Sequence, residues 1–319
     1  MPVIRIEGLR KSYGEVEALD GLDLTVEPGT IFGFLGPNGA GKTTTLRILT
    51  GLALPTGGRV TVGGLEMPAE ARQVAHRIGY LPEEPAFYPW MTPPEFLDHV
   101  GRVFGLPAGE RADRTAELLD LVGLADVGKR RIGGFSRGMR QRLGLAQALV
   151  NRPEILFLDE AVSALDPGGR KEVLELLERL RGECTVFMST HILADVERVC
   201  DTIGIIARGR LVAQDSRAAL LARYVIPAFE IEADQGLDVQ LESWGETLRG
   251  WPWVHSVSIS GRNARILVDD VETAKRALLP SAVEAGLVLT RYEIVRPSLE
   301  DVFLRLVGEG AETETPLPA

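Results

Sequence analysis

Residues 34–49 read FLGPNGAGKTTTLRIL, and this run constrains the fold more than any other. An apolar strand enters it and a helical pattern leaves it, with Gly36, Gly39 and Gly41 between. Glycine reaches left-handed backbone conformations at little steric cost, so a tight loop can turn its N–H groups inward. The helix behind the loop brings the positive end of its dipole to the same space. The spacing G-x-x-x-x-G-K-T between strand and helix is that of a phosphate cradle. Gly36, Asn38, Gly39 and Gly41 supply backbone to it, Lys42 reaches the β- and γ-phosphates, Thr43 ligates Mg²⁺, and Thr44 continues the first helical turn. An ordinary glycine-rich turn would explain the glycines but not a lysine and threonines at these offsets.

The rest of the chain supplies a frame for such a loop. Its 319 residues suffice for one large domain and a smaller one. The continuous apolar runs 31–35, 155–158, 186–188 and 203–206 read as strands buried on both faces, the habit of a parallel sheet. Helical stripes alternate with them, as in RKEVLELLERLR, so the class is α/β. VIRIEG, LDLTVE and GRVTVGG alternate apolar and polar residues and predict a small N-terminal antiparallel sheet with one wet face. A helical insertion is expected within about 93–150. After residue 224 the order βαββαβ predicts an α+β ferredoxin-like domain over 225–307, with the turn Gly261-Arg262-Asn263 joining its central strands. The last segment, 308–319, has no apolar face and predicts a disordered tail.

Composition limits the partners. The net charge of −10 repels nucleic acid over most of the surface. The basic residues Lys129, Arg130, Arg131, Arg137, Arg140 and Arg142 form one local patch without interleaved aromatics, read as a solvated face. Cys184 and Cys200 lack metal-ligand spacing and read as reduced, intracellular thiols. The N-terminal segment has no apolar core of the signal-peptide kind. No run approaches the ~18 apolar residues of a membrane span, so a membrane role requires a partner.

A second acidic segment narrows the chemistry. In 155-ILFLDE-160 a buried strand ends in two acids. Asp159 is placed to hold Mg²⁺ and Glu160 to polarise an attacking water. A guanine-reading Asn-Lys-x-Asp segment is absent from the sequence.

FSRGMRQRLGLAQAL (135–149), SALD (163–166) and STH (189–191) complete the set. Together with the loop and ILFLDE, in this order over residues 3–220, they resemble the nucleotide-binding subunit of an ATP-binding-cassette (ABC) transporter. The resemblance implies a P-loop cassette that binds ATP and Mg²⁺ and hydrolyses ATP as a dimer. It implies that Ser136 and Gly138 cover the γ-phosphate held by a second cassette, and that Asp166 senses the neighbouring site. It further implies that His191 assists Glu160 and that Tyr13 stacks on adenine. Ser136 is also a good helix N-cap, and the helix behind it offers free N–H groups to an anion.

Four positions depart from the family's usual residues: Glu83 stands where glutamine is usual beside the metal, Arg137 replaces the first glycine of the signature, Met139 replaces its glutamine, and Ala161 stands where proline usually follows the acid pair. Glu83 remains a candidate metal-facing residue. The aromatic run FYPWMTPPEF (87–96) is either the insertion's own core or a groove for a helix of a membrane partner. The implied partners are an integral-membrane permease on a separate chain and a second cassette, with a homodimer the simpler case and no nucleic acid. The implied location is cytoplasmic, on the inner face of the cell membrane. The small second domain and PSLEDVFLRL resemble export-type subunits. The alternative is a soluble ATPase of the same fold with a regulatory, ribosomal or nucleic-acid role.

Overall fold

Alternating and continuous apolar runs build different sheets in this chain. In β1 (Ile4–Tyr13) and β2 (Val16–Val26), buried Ile4, Ile6, Leu22, Leu24 and Val26 alternate with more exposed residues, and the two strands pair antiparallel. β3 (Ile31–Leu35) is buried at all five positions, as a strand covered on both faces must be. It leads through the glycine loop into α1 (Lys42–Leu49). β4 (Gly57–Val62) and β5 (Leu65–Met67) return to the first sheet, whose order is β2-β1-β4-β5.

After α2 (Ala71–Arg77) and β6 (Ile78–Leu81) come the three helices of the insertion, α3 (Pro93–Val103), α4 (Ala108–Leu121) and α5 (Arg137–Ala148). A capping box of Thr92 and Glu95, with proline in the first turn, starts α3. Two donors at the helix end are satisfied reciprocally by that motif. The chain then alternates through β7 (Ile155–Asp159), α6 (Pro167–Arg179), β8 (Thr185–Thr190), α7 (Leu193–Val199), β9 (Thr202–Ala207) and β10 (Arg210–Ser216). The second sheet has the order β10-β9-β3-β8-β7-β6. It is parallel from β9 to β6, with β10 an antiparallel edge. One apolar cluster unites the first sheet, α1 and one face of the second. At its centre Phe187 lies 5.1 Å from Phe32, 5.3 Å from Phe34 and 5.8 Å from Phe157, ring to ring.

Register decides where the chemistry sits. Leu35 pairs with Thr190, Asp159 with Ser189, and Leu81 with Leu158. The carboxyl ends of β3, β6, β7 and β8 are therefore level, and the residues just beyond them share one edge, where ligands of open α/β sheets bind.

The computed structural model describes residues 1–163, 165–223, 227–295, 299–303 and 306, in two compact units, Met1–Arg217 and Ala218–Ala319. α8 (Arg217–Arg223) falls at the join. The second unit runs β11 (Ala228–Ala233), α9 (Asp238–Arg249), β12 (Val254–Ser260), β13 (Asn263–Val268), α10 (Val271–Glu284) and β14 (Leu289–Val295). Its antiparallel sheet has the order β12-β13-β11-β14, the ferredoxin-like arrangement expected of βαββαβ. Phe229, Ile231 and Ile266 of the sheet share an apolar core with Leu241, Trp244 and Leu248 of α9 and Ala274, Leu278 and Ala282 of α10. Residues 299–303 are helical, with Leu299 and Val302 buried. The expected tail, 308–319, lies outside the described residues.

Candidate active site

A cavity of about 450 Å³ opens at the level strand ends. It gathers Asn38, Gly39, Gly41, Lys42, Thr43 and Thr44 from the loop and α1. Glu83 joins them from beyond β6, and Glu160 and His191 from the ends of β7 and β8. The loop is held close to its neighbours. A Cβ on Gly36 would stand 2.5 Å from the Ile206 carbonyl oxygen, and one on Gly41, at φ 107°, would stand 2.7 Å from that of Ala18. Neither position accepts a side chain without moving backbone. The first N–H groups of α1 have no acceptors within the helix, and the first turn carries no acid. The positive helix end is thus left open to an anion.

Lys42 is buried, and its Nζ donates to the carbonyl oxygens of Gly36 at 2.7 Å and Pro37 at 3.2 Å. Burial pushes its pKa below the usual lysine value, and the carboxylates of Glu160, Asp159 and Glu83 pull it back up. Glu160 lies 3.8 Å from Lys42 through Oε1 and 2.9 Å from His191 Nδ1 through Oε2. Its backbone is left-handed, at φ 50°, a conformation that costs a non-glycine residue of order 1 kcal/mol or more and clusters at functional sites. The bend is held by its N–H on the Ser189 carbonyl at 3.0 Å and its own carbonyl accepting from Ser163 Oγ at 2.8 Å. The chain therefore turns the Glu160 carboxylate into the cavity between a cation and an imidazole.

Asp159 lies beneath the cavity wall and is 1% exposed. Burial raises its pKa above the usual carboxylate value, while the Thr43 and Ser189 hydroxyls favour the charged form. Its Oδ1 is buried without a hydrogen-bond partner. An orphaned carboxylate oxygen beside a threonine hydroxyl suits a hard divalent cation that completes its shell with phosphate oxygens and water. Among the described residues no cluster of three or more His, Cys, Asp or Glu side chains forms a cage of its own.

Five other candidates lie elsewhere in the chain. Gly36 contributes its carbonyl to Lys42 rather than surface to the cavity. Tyr13, at the end of β1, is 48% exposed and has the Lys11 ammonium 4.6 Å above its ring, so in a single chain it does not reach the cavity lining. Ser136 caps α5, its Oγ accepting from Met139 N at 3.2 Å. Gly138 packs toward Leu165, whose Cδ2 would lie 3.4 Å from an added Cβ. Asp166 starts α6 as its exposed N-cap residue. None of these last three lines the cavity. Ala18 and Ser163 do line it, although the sequence reading does not single them out. Ser163 lies within the SALD segment, whereas nothing in the alternation of β2 distinguishes Ala18.

The aromatic run divides between the insertion's core and its surface. Phe96 is 4% exposed and meets Phe87 edge-on at 5.1 Å, within the insertion's core. Tyr88 and Trp90 stay 43% and 62% exposed, beside an open cleft of about 430 Å³ that includes Tyr88, His99 and Val103.

Comparison with known proteins fits this geometry. The chain is 40% identical over 310 residues to the ABC transporter ATP-binding protein YxlF of Bacillus subtilis (strain 168), covering 96% of this chain and 99% of that one. It belongs to the ABC transporter family. The family's sequence profile, described as ABC transporter, matches residues 19–163, and that of the DrrA1-3-like ATP-binding protein C-terminal domain matches 221–307. The daunorubicin resistance ATP-binding protein DrrA3 of Streptomyces coeruleorubidus is 36% identical over 96% of both chains. A dimeric ATP-binding cassette solved in a post-hydrolysis state with ADP and phosphate superimposes with a TM-score of 0.62, at 25% identity, over 67% of this chain and 98% of that one. This ABC protein is thus a nucleotide-binding ATPase with a P-loop cassette, followed by the small α+β unit.

Proposed function

We propose that this ABC protein hydrolyses ATP as one half of a cassette dimer and thereby drives a separate membrane permease that moves its cargo outward. The observation that carries the reading is Glu160, held in a left-handed turn between Lys42 and His191 at the mouth of the phosphate loop. A carboxylate so placed accepts a proton from, or polarises, a water attacking the γ-phosphate. His191 orients that carboxylate and contacts the γ-phosphate. Lys42 and the loop N–H groups of Gly36, Asn38, Gly39 and Gly41 hold the phosphates, with Thr44 in the first turn. Thr43 and Asp159 would hold Mg²⁺, while Glu83 lines the same cavity and adds negative charge there. That cation, when bound, offsets charge on the β- and γ-phosphates.

The cavity is half of a working site. Ser136 and Gly138 do not line it, and their helix end suits a γ-phosphate presented by a second copy, with Asp166 at the seam. The similar cassette solved with ADP and phosphate is a dimer, which supports such an assembly. Tyr13 is assigned to the adenine on register alone. No helix among the described residues is long and apolar enough to cross a membrane. Attachment to the inner face of the cell membrane therefore falls to the permease, with exposed Tyr88 and Trp90 beside their apolar cleft as the docking surface. Outward transport is supported by relatives named for resistance, among them the linearmycin resistance protein LnrL of Bacillus subtilis (strain 168), 33% identical over 96% of this chain.

The test is Glu160→Gln. Turnover should fall by about 10²-fold or more, while ATP binding persists and ATP now holds the chain as a dimer in light scattering. Hydrolysis at the parent rate would remove Glu160 from its role.

A further inference from the structure

Two of the departures from the family's usual residues, Glu83 and Arg137, meet in one place. A cleft of about 370 Å³ next to the nucleotide cavity is lined by Glu83, Glu84 and Pro85 on one side and by Arg137, Arg140 and Gln141 of α5 on the other. Glu83 lines both spaces. Toward the cavity its charge acts on Lys42 and on Asp159. Toward the cleft it faces donors. Arg140 already donates to the Phe135 carbonyl at 2.8 Å. Arg137 is exposed and makes no side-chain hydrogen bond or ion pair with the described residues. Gln141 is 2% exposed, and its Nε2 has no hydrogen-bond partner. A buried amide donor left unmade costs of order 1 kcal/mol or more, so an acceptor oxygen brought to Gln141 is favoured.

We propose that Glu83 is shared between the two spaces. When phosphates occupy the cavity, its carboxylate turns away from them into the cleft, where Arg137 is its counter-ion and Gln141 a further donor. A carboxylate facing phosphates is repelled. A glutamine at this position would need no counter-ion, and a glycine at position 137 would provide none. The two departures offset each other, which makes Arg137 a positioning residue for the nucleotide site of its own chain. This rests on the reading of the cavity as the nucleotide site.

The test is a double-mutant cycle read by titration with Mg-ADP. ADP has no γ-phosphate, so the contact of Ser136 and Gly138 with a second copy does not enter. Arg137→Gly should weaken ADP binding by about fivefold, the size of coupling between neighbouring charged groups. In the Glu83→Gln background the same change should leave affinity unaltered. Arg137→Gln, which keeps a good helix former at the start of α5, should repeat the pattern. Equal losses in both backgrounds overturn the proposal. So does rescue by Glu84→Gln in place of Glu83→Gln, or an effect of Arg137 seen with ATP and not with ADP, which would place it across the dimer. Lys42→Ala separates the two readings, since unchanged ADP affinity in that variant would remove the nucleotide site itself.

Discussion

Two aspartates, one in each unit, are buried almost equally and live in opposite surroundings. Asp159 is 1% exposed and Asp301 3%. Asp301 accepts from Arg265 Nε at 3.0 Å and Nη2 at 2.7 Å, and Glu230 takes the third bond of the same guanidinium at 2.5 Å. Asp159 has an orphaned Oδ1 and a pKa raised by burial. The backbone repeats the contrast. Among the described residues the left-handed positions of the second unit are glycines, such as Gly236, Gly261 and Gly286, while the first unit places Glu160 there at φ 50°. Where polar groups are paired and strain falls on glycine, the chain is being held together. Where they are left open and strained, it is kept ready for something else to complete them.

Lys42→Ala breaks the comparison most severely on the open side. Removing the buried cation should lower turnover by about 10²–10³-fold, the loss typical of one preorganised stabilising donor. Nucleotide titration should show weakened binding as well. Tryptophan fluorescence reports chiefly the second unit, which holds Trp244, Trp251 and Trp253, so stability is followed here by far-ultraviolet circular dichroism, and the urea unfolding curve should stay close to the parent's. A shift of that curve would mean that Lys42 is structural.

Arg265→Ala is the counterpart on the closed side and should act in the reverse sense. It leaves Asp301 buried with its main counter-ion gone. Breaking a buried pair costs about 3–5 kcal/mol; because the Arg265 side chain is 28% exposed, about 2–3 kcal/mol is expected. The fluorescence-monitored transition should move to lower urea. Arg265→Met combined with Asp301→Leu should recover most of the loss, since replacing both partners by apolar groups removes the uncompensated charge. If the single and double variants unfold alike, the pair does not hold residues 299–303 to the sheet.

The contrast also marks what the sequence could and could not disclose. The loop, the Asp159–Glu160 pair and the buried strands were legible because each is local: a glycine spacing, an acidic strand end, a run of apolar residues. The βαββαβ order likewise announced a ferredoxin-like sheet. The Arg265–Asp301–Glu230 set was not legible, because its members are separated by 35 and 36 residues: Glu230 meets Arg265 through strand pairing, and Asp301 reaches it only from the helical segment 299–303. Ala18 was invisible for a different reason: the cavity uses its small size and place on β2, not a chemical group. Ser136, Gly138 and Asp166 carry recognisable motifs whose resemblance already implied a neighbour's site, and they do not line the cavity of their own chain.

Asp159→Asn gives a smaller effect on stability than Arg265→Ala, and in the opposite direction, and tests the comparison on its own ground. Burial raises the folded-state pKa of Asp159, so its ionisation disfavours the nucleotide-free fold. The sign follows from linkage: such a group favours folding below its unfolded pKa, near 4, and that contribution is lost as pH rises through the folded value. At neutral pH the neutral amide escapes the desolvation of a charge and should raise the melting temperature of the nucleotide-free protein by about 2–4 °C in calorimetry. As pH falls through the folded value the parent carboxyl is itself protonated, and the advantage should vanish. Turnover, in contrast, should be lost at every pH, because the amide supplies no charge opposite the phosphate-bound cation. A variant that is both active and no more stable would mean that Asp159 is satisfied by groups already in the chain, and the distinction between the two buried aspartates would collapse.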